Sequence, residues 1–362
     1  MRRARRIAIS FFFFMVGLAS SGAAVGCALS GARWSGPTTD HFNGDRFSTP
    51  NGKKKLGGFD LDGFSALIRW QTSRVPGVWR PYHDEPPGPR PPNAVPTGGL
   101  RVTFINHATA LIQLDGVNVL TDPIFSERAS PFEFAGPKRV RPPGIRFDDL
   151  PRIDAVVISH NHYDHLDLAT LRRLTKTWPK VQIFVGLGNK AFLASRGLDN
   201  VTELDWWEER PLGAITIGSA PVQHFSNRGL TDEDGTLWSG WVITGAGGRT
   251  FFGGDTGYGP HFKAIGDRLG PFRLAVLPIG AYKPEWFMSP VHMSPSDAVD
   301  AALDLRAGMS VPVHFGTFQM ADDGETEPID ALQLALKEKP APFTVLGFGE
   351  GLDVAPLPEA AP

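Results

Sequence analysis

The sequence predicts an α/β fold in which sheets are covered by helices. Three observations carry that expectation. Short apolar, β-branched runs alternate with stretches of helical spacing in two successive halves of the chain. The glycine and proline counts, 41 and 32, favour a loop-rich, β-containing fold over a helical bundle. Polar residues of ligand type recur just past the predicted strands, where sites on layered α/β proteins are built. The 362 residues allow one large domain or two small ones. A 41% hydrophobic and 20% charged composition is that of an ordinary globular protein. The net charge of −2 gives no global basic field, so nucleic acid is not expected as a partner. Cys27 is the one cysteine, which excludes an intrachain disulfide and a thiolate in the main domain.

The first residues read as a targeting segment. Arg2, Arg3, Arg5 and Arg6 precede the apolar run Ile7 to Leu18, and small residues then lead to Cys27. This is the layout of a secretory signal peptide over residues 1–26. Small residues directly before a cysteine resemble a bacterial lipobox, with Cys27 lipidated as the first mature residue. Acyl chains on one cysteine would tether a globular body to a membrane, facing the periplasm or exterior. Residues 27–98 read as an irregular, lipidated N-terminus and linker. Phe64 to Trp70 suggests a short helix, and the proline-dense stretch Pro86 to Pro96 a stiff extended segment.

The main domain is expected over residues 99–355. Leu100 to Ile105 is a strand, and Ala110 to Leu114 and Val117 to Thr121 form a hairpin around Asp115-Gly116. Pro131 to Phe147 carries Lys138, Arg139, Arg141 and Arg146; it reads either as a solvated loop or as a cationic lid for a phosphate. Ile153 to Ser159 is a buried strand, and Asp167 to Thr177 a helix with Leu168, Leu171 and Leu174 on one face. Val181 to Val185 is a strand, and Ala214 to Ile217 and Ala220 to Gln223 read as two more. Trp238 to Thr244 and Arg249 to Phe252 make a hairpin, and Leu274 to Pro278 is a strand. Ser294-Pro295-Ser296-Asp297 starts a helix. Ser310 to Val313 is a strand, Pro328 to Lys337 a helix and Phe343 to Leu346 a closing strand, with residues 356–362 a disordered tail.

Chemistry concentrates in His160-Asn161-His162-Tyr163-Asp164-His165, three imidazoles and a carboxylate directly after a predicted strand. Zinc, manganese and iron all accept these donors. His224, Asp255 and His314 likewise sit just past predicted strands, so five of the ten histidines are at strand ends. Seven such ligands suit two metals sharing a carboxylate, with room for a bridging water.

The order H-x-H-x-D-H, His, Gly-Asp-Thr, His resembles the metallo-β-lactamase superfamily. Ser159 to Asp167, Glu203 to Glu208, Gly254 to Tyr258 and Pro278 to Tyr282 are more specifically similar to the N-acylphosphatidylethanolamine phospholipase D family. So are Trp286-Phe287-Met288, Val291-His292-Met293 and Val313 to Phe318. The resemblance implies an αββα sandwich with two zinc ions per chain. It would place His160, His162 and His224 on one zinc and Asp164, His165 and His314 on the other, with Asp255 bridging. It puts His292 near the phosphate, to position it or protonate a leaving group. Asp164, Asp255 and His292 are the residues expected to carry catalysis, with a hydroxide between the metals attacking the phosphorus of a phospholipid. Trp286, Phe287 and Met288 read either as an acyl groove or as core. The rival readings are a lactonase on the same site and a non-enzymatic, metal-binding envelope lipoprotein. A homodimer is left open.

Overall fold

A computed structural model describes residues 29–50 and 61–358. The expected signal segment 1–26, Cys27, the lysines at 53–55 and the last residues, 359–362, lie outside the described residues. No helix among the described residues is long and apolar enough to cross a membrane.

Six strands come first: β1 (Leu100–Asn106), β2 (Thr109–Leu114), β3 (Val117–Thr121), β4 (Ala155–Val157), β5 (Gln182–Gly186) and β6 (Val201–Leu204). Six follow: β7 (Glu209–Leu212), β8 (Ile215–Ala220), β9 (Gly240–Gly245), β10 (Gly248–Phe252), β11 (Leu274–Pro278) and β12 (Ser310–Val313). A short β13 (Gly351–Asp353) closes the series. They form two mixed sheets, a seven-stranded one in the order β13-β1-β2-β3-β4-β5-β6 and a six-stranded one in the order β12-β11-β10-β9-β8-β7.

The two-residue period of a strand decides what each sheet buries. Ala155 and Val157 of β4 join the core between the sheets, with Ile243, Phe252 and Leu277 from the second sheet. Val156 and the following Ile158 point the other way, against Leu171 and Leu174. Ala110, Ile112 and Leu114 of β2 face the inner core, and Leu111 the outer one. Leu171 and Leu174 belong to the covering helix, and each contributes roughly 1.5–3 kcal/mol by leaving water.

The helices are α1 (Leu61–Ser73), α2 (Leu168–Thr177), α3 (Asn189–Ala194), α4 (His261–Leu269), α5 (Glu285–Met288), α6 (Pro295–Asp304) and α7 (Glu327–Glu338). The Asp167 side chain caps α2 by accepting from Ala169 N. Ser294 and Asp297 form the expected capping box of α6, with Pro295 in its first turn.

Two strand expectations are corrected, and the open readings of other segments are decided. Ala214 to Ile217 and Ala220 to Gln223 are not two strands: β8 runs straight through Gly218, which pairs with Glu209 on one side and Val242 on the other. Phe343 to Leu346 makes one bridge, to Ser310, and the closing strand is β13 instead. The proline-dense stretch is extended but docked. Gly88 N donates to Gly144 O (2.7 Å), and the Pro92 and Asn93 carbonyls accept from Gln113 and Asn118 (2.8 Å each). The cationic segment is no phosphate lid. Arg139 is buried and donates to the Ser126 and Ile124 carbonyls. Arg141 is buried between Glu325 and Glu85, Arg146 pairs with Asp149, and Lys138 pairs with Glu127. In the same way Phe287 and Met288 are core: they pack with Ala281 and Ala321 under α1, and Trp70 stacks on Phe287.

Candidate metal centre

The loops that follow β4, β8, β10 and β12 leave the sheets at one shared edge, and each delivers a ligand-type residue there. Local chain chemistry fixes them. Gly254 has φ +57°, and a Cβ on it would lie 2.2 Å from Ser159 Cβ, so only glycine lets Asp255 come up beside the histidine loop. A Cβ on Gly280 would lie 1.8 Å from the His314 carbonyl oxygen, so glycine is equally required where the β11 loop passes His314. The histidine loop itself is held by buried Arg228, whose Nη1 donates to Asn161 O (2.7 Å) and Leu166 O (3.1 Å).

All seven expected ligands meet. His160, His162 and His224 form one group: His162 Nδ1 lies 2.7 Å from His160 Nε2 and 3.4 Å from His224 Nε2. Asp164, His165 and His314 form the other, in one cluster with His107: Asp164 Oδ2 lies 3.2 Å from His165 Nε2 and 3.6 Å from His314 Nε2. Asp255 stands between them. Its Oδ2 is 3.1 Å from His165 Nε2 and 3.9 Å from His224 Nε2, and its Oδ1 is 3.2 Å from His314 Nε2. His292 is half-buried beside Asp255, with Nδ1 3.8 Å from Oδ2. Tyr163 is a packing residue: its hydroxyl donates to Arg228 O and its ring lies under the Arg228 guanidinium.

These residues fit a metal. His165 Nε2, His314 Nε2 and Asp255 Oδ1 are buried with no hydrogen-bond partner. They lie 3.1–3.2 Å from oppositely charged neighbours without an aligned hydrogen bond, an arrangement a bound cation would complete. Burial and the neighbouring imidazoles push His160 well below the ordinary range, and burial does the same to His224, so both present lone pairs. Burial alone would raise the Asp164 and Asp255 carboxyls, but His165 outweighs it, helped by His107 at Asp164 and His314 at Asp255. Both carboxyls are held well below the usual range. Burial would likewise lower His314, yet Asp255 and Asp164 draw it up to about 9. The protons held among these carboxylates and imidazoles are what a divalent cation would displace.

Two contributors were not legible beforehand. Asp122, just past β3, accepts from His165 Nδ1 (2.7 Å) and from the Ser159 backbone N (2.7 Å) and hydroxyl. This fixes the His165 tautomer so that Nε2 faces the site, as His224 Nδ1 donating to Val291 O (2.9 Å) does for His224. Burial pushes the Asp122 carboxyl up, and His165 and Ser159 partly offset that. His107, in the β1–β2 turn, lies 3.0 Å from Asp164 Oδ2 through Nε2. The strand-end position of Asp122 was the one signal available; a lone turn histidine offered none.

Sheet order, ligand placement and orphaned donors together define a metal-dependent hydrolase of the β-lactamase superfamily. The model of the "Beta-lactamase superfamily domain" matches residues 117–315. The metallo hydrolase Igni18 of Ignicoccus hospitalis has the same fold, with a TM-score of 0.54 at 21% identity over 71% of this chain and 99% of that one. The N-acyl-phosphatidylethanolamine-hydrolyzing phospholipase D 1 of Caenorhabditis elegans is 42% identical over 267 residues, 70% of this chain and 75% of the relative. The mitochondrial N-acyl-phosphatidylethanolamine-hydrolyzing phospholipase D of Saccharomyces cerevisiae is 34% identical over 64% of this chain and 51% of its own length. The chain belongs to the family of N-acylphosphatidylethanolamine-hydrolysing phospholipases D.

Proposed function

We propose that this hydrolase cleaves the phosphodiester of N-acylphosphatidylethanolamine-like phospholipids with two zinc ions, water being consumed and phosphatidic acid and an N-acylethanolamine released. The observation that carries the reading is Asp255 standing between two ligand groups, within 3.9 Å of His224 on one side and 3.1–3.2 Å of His165 and His314 on the other. His160, His162 and His224 would hold one ion, Asp164, His165 and His314 the second, and Asp255 both. A bound metal pair supplies an activated water and neutralises the phosphoryl oxygens. A site with seven donors and a half-buried approach past His162 and His292 differs from a structural zinc site closed by four ligands.

The chain's own residues do the rest. Asp122 and Val291 O lock the imidazoles of His165 and His224 with Nε2 inward. Arg228 keeps the two ends of the histidine loop at fixed separation. His292 borders Asp255 at the approach and would hydrogen-bond the scissile phosphate or its leaving oxygen. A lipid tether on Cys27 would keep the site at the surface where the substrate lies. The test is turnover of N-acylphosphatidylethanolamine, a lactone and bis(4-nitrophenyl) phosphate, each with and without chelator. The expected result is chelator-sensitive release of N-acylethanolamine. Lactone hydrolysis with the phospholipid untouched would overturn the reading in favour of a lactonase.

A further inference from the structure

We propose that His107 is a positioning residue for the second metal: it holds Asp164 in the orientation in which that carboxylate can ligate. The inference rests on the two-metal reading above. His107 is 1% exposed and touches every residue of the second ligand group. Its Nε2 lies 3.0 Å from Asp164 Oδ2, and its ring centroid is 4.1 Å from that of His314 and 5.5 Å from that of His165. Its backbone carbonyl accepts the His314 N–H at 2.7 Å, and its own N–H donates to Thr317 Oγ1 at 3.0 Å.

These contacts join the two halves of the molecule. His107 belongs to the β1–β2 turn of the first sheet, whereas His314 follows β12 of the second. Both residues sit in the left-handed region, with φ +45° and +65°, a conformation that side chains with a Cβ avoid. Strain of this kind persists where surrounding contacts over-determine it, and it clusters at functional sites. Here the shared backbone bond and the Thr317 brace are those contacts.

The hydrogen-bond chemistry favours a positioning role over a ligating one. An ionised Asp164 has only acceptors, so the proton between it and His107 sits on Nε2, and that nitrogen has no lone pair for a metal. Ligating histidines are aimed by their second nitrogen donating to a fixed acceptor. His165 and His224 do this through Asp122 and Val291 O. His107 Nδ1 is buried with no hydrogen-bond partner, as is Nδ1 of His314, so it is the Nε2 contact to Asp164 that sets His107 apart. Asp164 Oδ2 is also the oxygen nearest His165 and His314, so His107 fixes the atom that completes that ligand group.

The experiment compares the full chain with His107→Ala and His107→Gln, each loaded with zinc. It reads zinc per chain by elemental mass spectrometry, the affinity of each equivalent by competition with a chelating indicator, and the absorption of cobalt-substituted protein. Wild type should hold two ions. His107→Ala should bind the first as wild type does and the second about 10–100-fold more weakly, with kcat lowered and KM little changed. His107→Gln, whose amide N–H can still donate, should recover most of the second affinity with a wild-type cobalt spectrum. Wild-type second-site affinity in His107→Ala overturns the proposal. A shifted spectrum and alanine-like affinity in His107→Gln also overturn it, making His107 a ligand. If His107→Ala does not fold, Thr317→Val carries the test by removing the brace. It should weaken the second equivalent severalfold, and unchanged affinity there overturns the proposal. A wild type that holds a single ion refutes the two-metal reading itself, and the wild-type count separates that result from any effect of the variants.

Discussion

Replacing Asp122 with asparagine probes the support of the site without replacing a ligand. Asp122 is 0% exposed, and its two oxygens accept from three donors: Ser159 N at Oδ1, and His165 Nδ1 and the Ser159 hydroxyl at Oδ2. An amide has one oxygen and one NH2, so one of these positions must then face a donor with a donor. With the NH2 at the Oδ1 position it opposes the Ser159 N–H. With the NH2 at the Oδ2 position the Ser159 hydroxyl can turn, but His165 must move its proton to Nε2. That is the nitrogen 3.1 Å from Asp255 and 3.2 Å from Asp164, so the tautomer change removes the lone pair a metal needs. Losing one well-placed hydrogen bond and leaving a buried donor unmade costs about 2 kcal/mol. Misorienting the ring costs about 10–100-fold in metal affinity. The assay is a metal titration with a competing chelator beside a thermal melt of the metal-free protein. The expected outcome is one weakened equivalent and a melting temperature several degrees lower. Wild-type affinity for both equivalents together with an unchanged melt would refute the argument that Asp122 sets the His165 tautomer.

Asp255→Asn should abolish turnover and lower the metal count while the metal-free protein still unfolds cooperatively in urea, at a midpoint lowered by loss of the His165 and His314 ion pairs; full activity would remove the shared-ligand role. Gly254→Ala places a Cβ 2.2 Å from Ser159 Cβ at φ +57°, so a loss of about 2–4 kcal/mol is expected in denaturant unfolding. A change under ~0.5 kcal/mol would show that the close approach is not tight. For Glu325, burial alone would raise the carboxyl, but Arg80 and Arg141 outweigh it and hold it at about 2 against an ordinary 4.5. A depressed carboxyl stabilises fully above its unfolded value, and that contribution fades as pH falls from 4.5 toward 2. Glu325→Gln should therefore cost about 3 kcal/mol at neutral pH and converge on wild type near pH 2, read from urea unfolding across pH. A pH-independent difference would contradict the ion-pair account.

Much of the centre was legible because its residues fall where strands end. The hexad is local, so spacing alone marks it, and His224, Asp255 and His314 repeat the strand-then-ligand grammar. His107 and Asp122 act through tertiary contacts, and no spacing within their own segments points to Asp164 or His165. Gly218 read as a break between strands because glycine is a turn residue, yet here it lies flat between two neighbouring strands. Phe343 to Leu346 has strand propensity but only one bridge, whereas Gly351–Asp353 pairs with β1 although its composition is poor for a strand. There Arg101 reaches Asp353 at 2.7 Å, a cross-strand ion pair that sequence distance hides. The arginines of the proline-rich segment read as solvated or phosphate-binding because charge normally faces water. Arg141 is buried instead because Glu325, 184 residues away, meets it at 2.6 Å.

The most direct test of the two-metal phosphodiesterase reading is a zinc titration of metal-free protein followed by release of N-acylethanolamine from N-acylphosphatidylethanolamine. Activity should stay low through the first equivalent and reach its plateau at two. Full activity at one equivalent or none, or no release with both equivalents bound, would contradict it.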